Sequence, residues 1–372
     1  MNFDSTLQRI PTGGSNEYRP APARHMTWRS RLTPKDPWAK GAVIWATSQL
    51  LVIVILEAAI AKIHGDYRSE LEALNDPAVD QSVVPNARAI TIYHALFIVA
   101  QAFQWVLAAD AVLTSSMIQL VSTTLYNTAL FAYSIVQFKQ AKDIADQVTQ
   151  LGLPNLPKPH PTKTPEFIVI VAMAIFAAGW MVISQRLYRV FGWSIFKELG
   201  ADIAVRNRLK LYHIYMMLLK LDVFFFLGFD IQFLLLVLLN DGDVSSRWTH
   251  GLIAIPFTLI LLVIAYFAIR KESNILMTLT LLGLSGGIGY LIAKLVDVMK
   301  KGDTPKYSGS RNSLTFFESI TLALSVATFV VAIMNFRNFG KGLKEQLERA
   351  RGQNMELDDI QRPPKDNRWT LD

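Results

Sequence analysis

Residues Phe191 to Asn240 read FGWSIFKELGADIAVRNRLKLYHIYMMLLKLDVFFFLGFDIQFLLLVLLN. A basic segment runs straight into a long apolar helix that carries Lys220, Asp222 and Asp230 among phenylalanines and leucines. A charge inside an apolar span costs roughly 2.5–3.5 kcal/mol on insertion scales unless it is paired or hydrated. Three such residues in one segment therefore need a physical reason. Lys220 and Asp222 lie about 200° apart around a helix, so each must find its partner elsewhere. Asp230 is offset from Asp222 by only about 80° and can share a broad face with it.

The rest of the chain has the same character. Its 372 residues are 51% hydrophobic and 18% charged, with a mean hydropathy of +0.28, too apolar for a soluble protein of this length. The apolar residues fall in long runs, which predicts an all-α, polytopic integral membrane helix bundle. We place eight spans, at about 41–63, 87–109, 112–138, 166–187, 211–240, 251–269, 274–296 and 314–336. Three regions result: a basic arm over 1–40, a transmembrane domain over 41–336, and a tail over 337–372 with a short amphipathic helix near Leu343, Leu347 and Ala350. No early apolar run suggests a cleaved signal peptide. Asp110 is expected in the turn between spans 2 and 3, and Ser69 as the cap of a short helix in the acidic loop after span 1. Five prolines between Pro154 and Pro165 predict an extended spacer.

Eight spans put both termini on one side. That side holds roughly twice as many Lys and Arg as the other, so the termini are expected in the cytosol. Spans 2–8 alone would have the orientation of a seven-helix receptor with one extra N-terminal helix, the alternative architecture. The connector carries Arg186, Arg189, Trp193, Lys197, Arg206, Arg208 and Lys210, a set suited to anionic lipid headgroups at the cytosolic face. Lipid, rather than nucleic acid, is the expected partner.

Candidate site residues are few. Lys220, Asp222 and Asp230 have Glu57, His94, Glu318 and Lys294 as available partners in other spans. Such an intramembrane polar cluster is either an interhelical clamp or an ion, proton or substrate site. In span 7, Gly283 and Gly287, and Ser285 and Gly289, are four apart, which favours close helix packing. A broken helix with a binding site is the sharper alternative. The chain has no cysteine, no His-x-x-x-His and no Gly-x-Ser-x-Gly. No catalytic residue, cofactor or metal is expected, and Asp241-x-Asp243 lacks the surrounding domain that a nucleotide-sugar enzyme would need.

Phe191-Gly192-Trp193, Lys197, Gly200-Ala201-Asp202 and Lys220-x-Asp222-x-Phe224-Phe225-Phe226-Leu227-Gly228-Phe229 resemble a family of fungal Golgi apparatus membrane proteins of uncharacterised function. The resemblance implies a multi-pass protein of the Golgi or a neighbouring secretory membrane, and no catalytic residue. The expected function is therefore non-enzymatic, organising or assisting membrane trafficking. A secondary transporter or channel using Asp222, Asp230 and Lys220 is one alternative. A seven-helix receptor-like sensor is the other.

Overall fold

The computed structural model describes residues 36–74, 79, 83–151, 162–198, 203–238, 255–301 and 311–341. Among them are eight α-helices and no strand: α1 (Pro37–Glu72), α2 (Val84–Leu113), α3 (Met117–Leu151), α4 (Lys163–Glu198), α5 (Ile203–Gln232), α6 (Ile255–Lys271), α7 (Asn274–Lys301) and α8 (Arg311–Phe336). A π-helical turn, Phe233–Leu238, continues α5. Local chemistry sets several ends. Asp36 caps α1, accepting from the Trp38 and Ala39 amides, with Pro37 at the first helical position. The turns after α2 and α6 are short and place Ser115 (φ 49°) and Glu272 (φ 47°) in the left-handed region. Each turn folds its helix back on the next.

The helices close into two four-membered rings. In the first, α1 packs on α2, α2 on α3, α3 on α4, and α4 back on α1. In the second, α5 packs on α6, α6 on α7, α7 on α8, and α8 back on α5. The rings meet where α3 touches α5 and α8, and α2 touches α5. An aromatic seam fills that boundary. Phe224 of α5 stacks on Phe103 (4.7 Å) and meets Tyr126 edge-on (5.4 Å), while Phe317 of α8 lies edge-on to Tyr133 (5.1 Å). Such pairs are each worth about 0.5–1.5 kcal/mol beyond the area they bury. Tyr133 also hydrogen-bonds Ser313, which donates to Gln232. The Phe224-Phe225-Phe226 run thus serves both sides: Phe224 and Phe225 join the core shared with the first ring, and Phe226 the core of the second.

Polarity is inverted relative to a soluble protein. Gln49, Gln101, Asn127, Asp222, Glu318 and Thr328 are fully buried, whereas Ile55 is 67% and Ile275 75% exposed. Outward aliphatic side chains over inward polar ones are what a hydrocarbon solvent selects. Five helices (α1, α2, α4, α7 and α8) are long and apolar enough to cross a membrane. The other three fall outside that set for physical reasons. α3 turns Thr123, Asn127, Ser134 and Gln137 inward, α5 carries Lys220 and two aspartates, and the described part of α6 is 17 residues, short of the ~20 a straight crossing needs.

Some expected boundaries move. Asp110 lies in the last turn of α2, and the turn itself is at residues 114–116. α1 runs on to Glu72, so Ser69 is not a cap; its hydroxyl donates to the Asp66 carbonyl inside the helix. The basic connector is not a separate surface element, because α4 extends to Glu198 and α5 starts at Ile203. One end of the second ring is tied together. Arg208 bonds the Lys341 carbonyl, the Gly340 amide donates to Glu272 (3.1 Å), and Asn335 donates to the Leu211 carbonyl (3.3 Å). The start of α5, the α6–α7 turn and the end of α8 therefore share a face. The arm over 1–35, the prolines before Pro165, Asp241, Asp243 and the tail helix lie outside the described residues, as do the side chains of Trp193, Lys197 and Arg206.

Candidate functional site

The intramembrane charges form separate groups rather than one cluster. Lys220 pairs with Asp110 of α2 at 2.6 Å, and these side chains are 38% and 34% exposed. A pair this open adds little stability. Asp222 points elsewhere, as its offset requires. It is fully buried and accepts from Thr328 of α8 at 2.6 Å, with Oδ1 left without a hydrogen-bond partner among the described residues. Asp222 and Thr328 pin α5 to α8.

Asp230 and Glu318 belong to the second ring. Glu318 of α8 is fully buried, and neither carboxylate oxygen has a hydrogen-bond partner among the described residues. Tyr290 of α7 lies within electrostatic reach of both carboxylates, and Lys294 within reach of Glu318. The Lys294 ammonium sits 4.5 Å from the Phe233 ring and 5.5 Å from that of Tyr290. Asp230 is buried and lines a cavity of about 260 Å³ between α5, α6 and α7. The walls are aromatic and small, with Phe229, Phe257, Gly286, Gly287 and Tyr290 among them.

The glycines of α7 explain that space. A Cβ at Gly283 would overlap Leu261 of α6, so α6 and α7 approach closely there. At Gly286, Gly287 and Gly289 a Cβ would meet nothing within 4 Å. Ser285 turns away and donates to the Leu282 carbonyl. The four-residue spacing thus marks one tight crossing at Gly283, followed by an opening at Gly286 and Gly287 beside Asp230. A tighter crossing is at Gly179 of α4, where a Cβ would overlap the Trp45 indole of α1.

Glu57 and His94 lie in the first ring. The Glu57 carboxylate bonds His94 Nδ1 at 2.6 Å, and both residues are buried. The His94 ring stacks on His64 with centroids 5.2 Å apart, and His64 Nε2 contacts Glu166 at 2.9 Å. Deeper in the same ring, Gln49 gathers one residue from each neighbouring helix. Its amide donates to Gln101 (3.0 Å) and Asn127 (2.8 Å), and its carbonyl accepts from Trp180 (2.9 Å). Sequence reasoning missed Gln49, His64, Asp110, Asn127, Glu166 and Thr328. Gln49 and Asn127 carried the available signal: amides in the middle of apolar spans face partners, not lipid.

The basic residues also separate. Arg186 lies 5.6 Å from the Trp38 ring, joining the start of α1 to the C-terminal half of α4. Arg189 is exposed in the same part of α4, and Lys210 and Arg208 are at the start of α5.

Over 271 residues, 67% of this chain and 76% of the relative, the chain is 27% identical to a UPF0658 Golgi apparatus membrane protein of Schizosaccharomyces pombe. The chain is a relative of a fungal Golgi membrane protein. The likeness covers two thirds of the sequence. The Golgi membrane is the location this relationship carries. No family model matches the chain, and no solved structure matches it.

Proposed function

We propose that this Golgi membrane protein spans the bilayer eight times with both termini cytosolic, is not an enzyme, and binds and carries a small organic cation through its second ring. The observation that carries the reading is the cavity of about 260 Å³ between α5, α6 and α7, with Asp230 in its wall. Its chemistry selects the ligand class. Aromatic faces around one carboxylate attract a cation with an apolar body. The volume is just below the roughly 300–1,000 Å³ of ligand pockets generally and fits a small ammonium ion. Glycines at 286 and 287 keep the wall open, and buried carboxylates in a membrane are expensive enough to mark a pathway. Glu318 and Lys294 supply a further acid and a resident cation within the same ring, so an incoming cation has charges to exchange with. The Arg186, Arg189, Arg208 and Lys210 side would meet anionic headgroups in the cytosolic leaflet.

The receptor-like alternative treats the first helix as an addition to a seven-helix core. Here α1 closes the first ring against α2 and α4 and supplies Gln49 to its centre. The test is uptake of radiolabelled tetraethylammonium into liposomes holding the full chain. We expect saturable uptake above empty vesicles, lost in Asp230→Asn and kept in Lys220→Gln. Uptake equal to that of empty vesicles, or unchanged in Asp230→Asn, overturns carriage through this cavity and returns the search to a trafficking role for the cytosolic face.

A further inference from the structure

We propose that His64, His94 and Glu166 form a binding site for a divalent transition-metal ion of the zinc class, with Glu57 orienting His94. The site belongs to the first ring and is independent of the cavity in the second. Three helices supply it: His64 comes from the last third of α1, His94 from α2 and Glu166 from the first turn of α4. One donor atom from each of the three residues lies within 4.8 Å of the other two. Zinc holds imidazole nitrogen at roughly 2.0–2.1 Å, which sets tetrahedral donors roughly 3.4 Å apart. Closing the set around an ion therefore takes side-chain movement of about 1–1.5 Å at most.

Two features distinguish this group from a chance meeting of polar residues. The first is donor type. Two imidazoles and one carboxylate are the ligands of an open, four-coordinate zinc site with its last position left for water or a further ligand. Imidazole also suits zinc, copper, iron and nickel better than magnesium or calcium. The second is the Glu57–His94 bond. A metal-bound histidine almost always gives its other ring nitrogen to a carboxylate or carbonyl, which fixes the ring. Glu57 holds His94 Nδ1 at 2.6 Å in the interior of the ring, and the remaining nitrogen is the one left for the ion.

Charge balance points the same way. Glu57 and Glu166 are both buried carboxylates beside two histidines. One divalent ion offsets both acids, and burial of charge is tolerated when it is paired or bound to metal. His64, with its side chain 13% exposed, gives access from the surface, while His94 and Glu166 are enclosed. The chain has no cysteine to compete for the ion, and His213 is exposed on α5, which supplies none of the four residues.

The experiment uses the full chain purified in detergent with any affinity tag removed, stripped with EDTA and then loaded with ZnCl2. Zinc retained after gel filtration is measured by mass spectrometry, and affinity by competition with a chromophoric chelator. We expect one zinc per chain, with His213→Asn unchanged. Glu57→Gln should weaken affinity by about 10–100-fold, and the His64→Asn, Glu166→Gln double variant should retain none. Zinc should also raise the Tm of the unaltered chain, a readout that needs no variant to fold. Retention of no zinc, a Tm unmoved by zinc, or equal retention by the double variant overturns the proposal. The four residues would then be two carboxylate–imidazole clamps between helices.

Discussion

Replacing Gln49 by Leu removes one amide and leaves the Gln101, Asn127 and Trp180 groups it now serves without that partner. Interhelical hydrogen bonds in membranes average about 0.6 kcal/mol and reach about 1.7, and an unsatisfied buried group costs about 1–3. We expect Gln49→Leu to lower unfolding free energy by about 2 kcal/mol, measured by denaturant titration in micelles. Lys220→Gln should change it by less than about 0.5 kcal/mol, because Lys220 and Asp110 are both over one-third exposed. Read from the sequence, Lys220 stands out and Gln49 does not, since a formal charge in an apolar run is conspicuous and a neutral amide is not. In the folded chain the amide is at the centre of a ring, while the lysine pairs beside the α2–α3 turn.

Among the elements, α1 and α4 depend on Gly179 for their approach. A methyl there would strike the rigid Trp45 indole, which bonds the Phe176 carbonyl at 3.3 Å. At Gly283 the obstacle is the flexible end of Leu261, which can shift. Gly179→Ala is therefore expected to cost about 1–3 kcal/mol, and Gly283→Ala less. Gly286→Ala should leave stability near that of the unaltered chain, because its Cβ would enter open space. Thermal unfolding of the three variants in micelles ranks them. The small-residue pattern of α7 is legible in sequence, but its spacing cannot say which glycine receives a neighbour and which opens a cavity. That depends on where α6 crosses, and Gly179 has no matching small residue four positions away to announce it.

For the whole molecule, helix type and most helix positions follow from hydropathy, because runs of ~20 apolar residues have one stable solution in a bilayer. The division into two rings does not. Each helix is apolar on several sides, so periodicity gives no face, and long helices such as α3 and α4 run well past the expected spans. The aromatic run at 224–226 does encode the ring boundary, once Phe103, Tyr126, Tyr133 and Phe317 are seen around it. Phe224→Ala should cost about 3–5 kcal/mol and loosen one ring from the other, giving two unfolding transitions in calorimetry where the unaltered chain gives one. The His64–His94–Glu166 group is likewise illegible, since its members are 30 or more residues apart and meet only when α1, α2 and α4 close.

The most direct measurement uses the natural absence of cysteine in this chain. A single Gly287→Cys places a thiol in the cavity wall without displacing any neighbour. The rate of its modification by a cationic, membrane-impermeant methanethiosulfonate reports whether cations reach Asp230. Rapid reaction is expected, slowed by tetraethylammonium and slowed again when Asp230→Asn is added. A thiol that does not react, or reacts at the same rate with and without the Asp230 charge, would contradict a cation-binding cavity in the second ring.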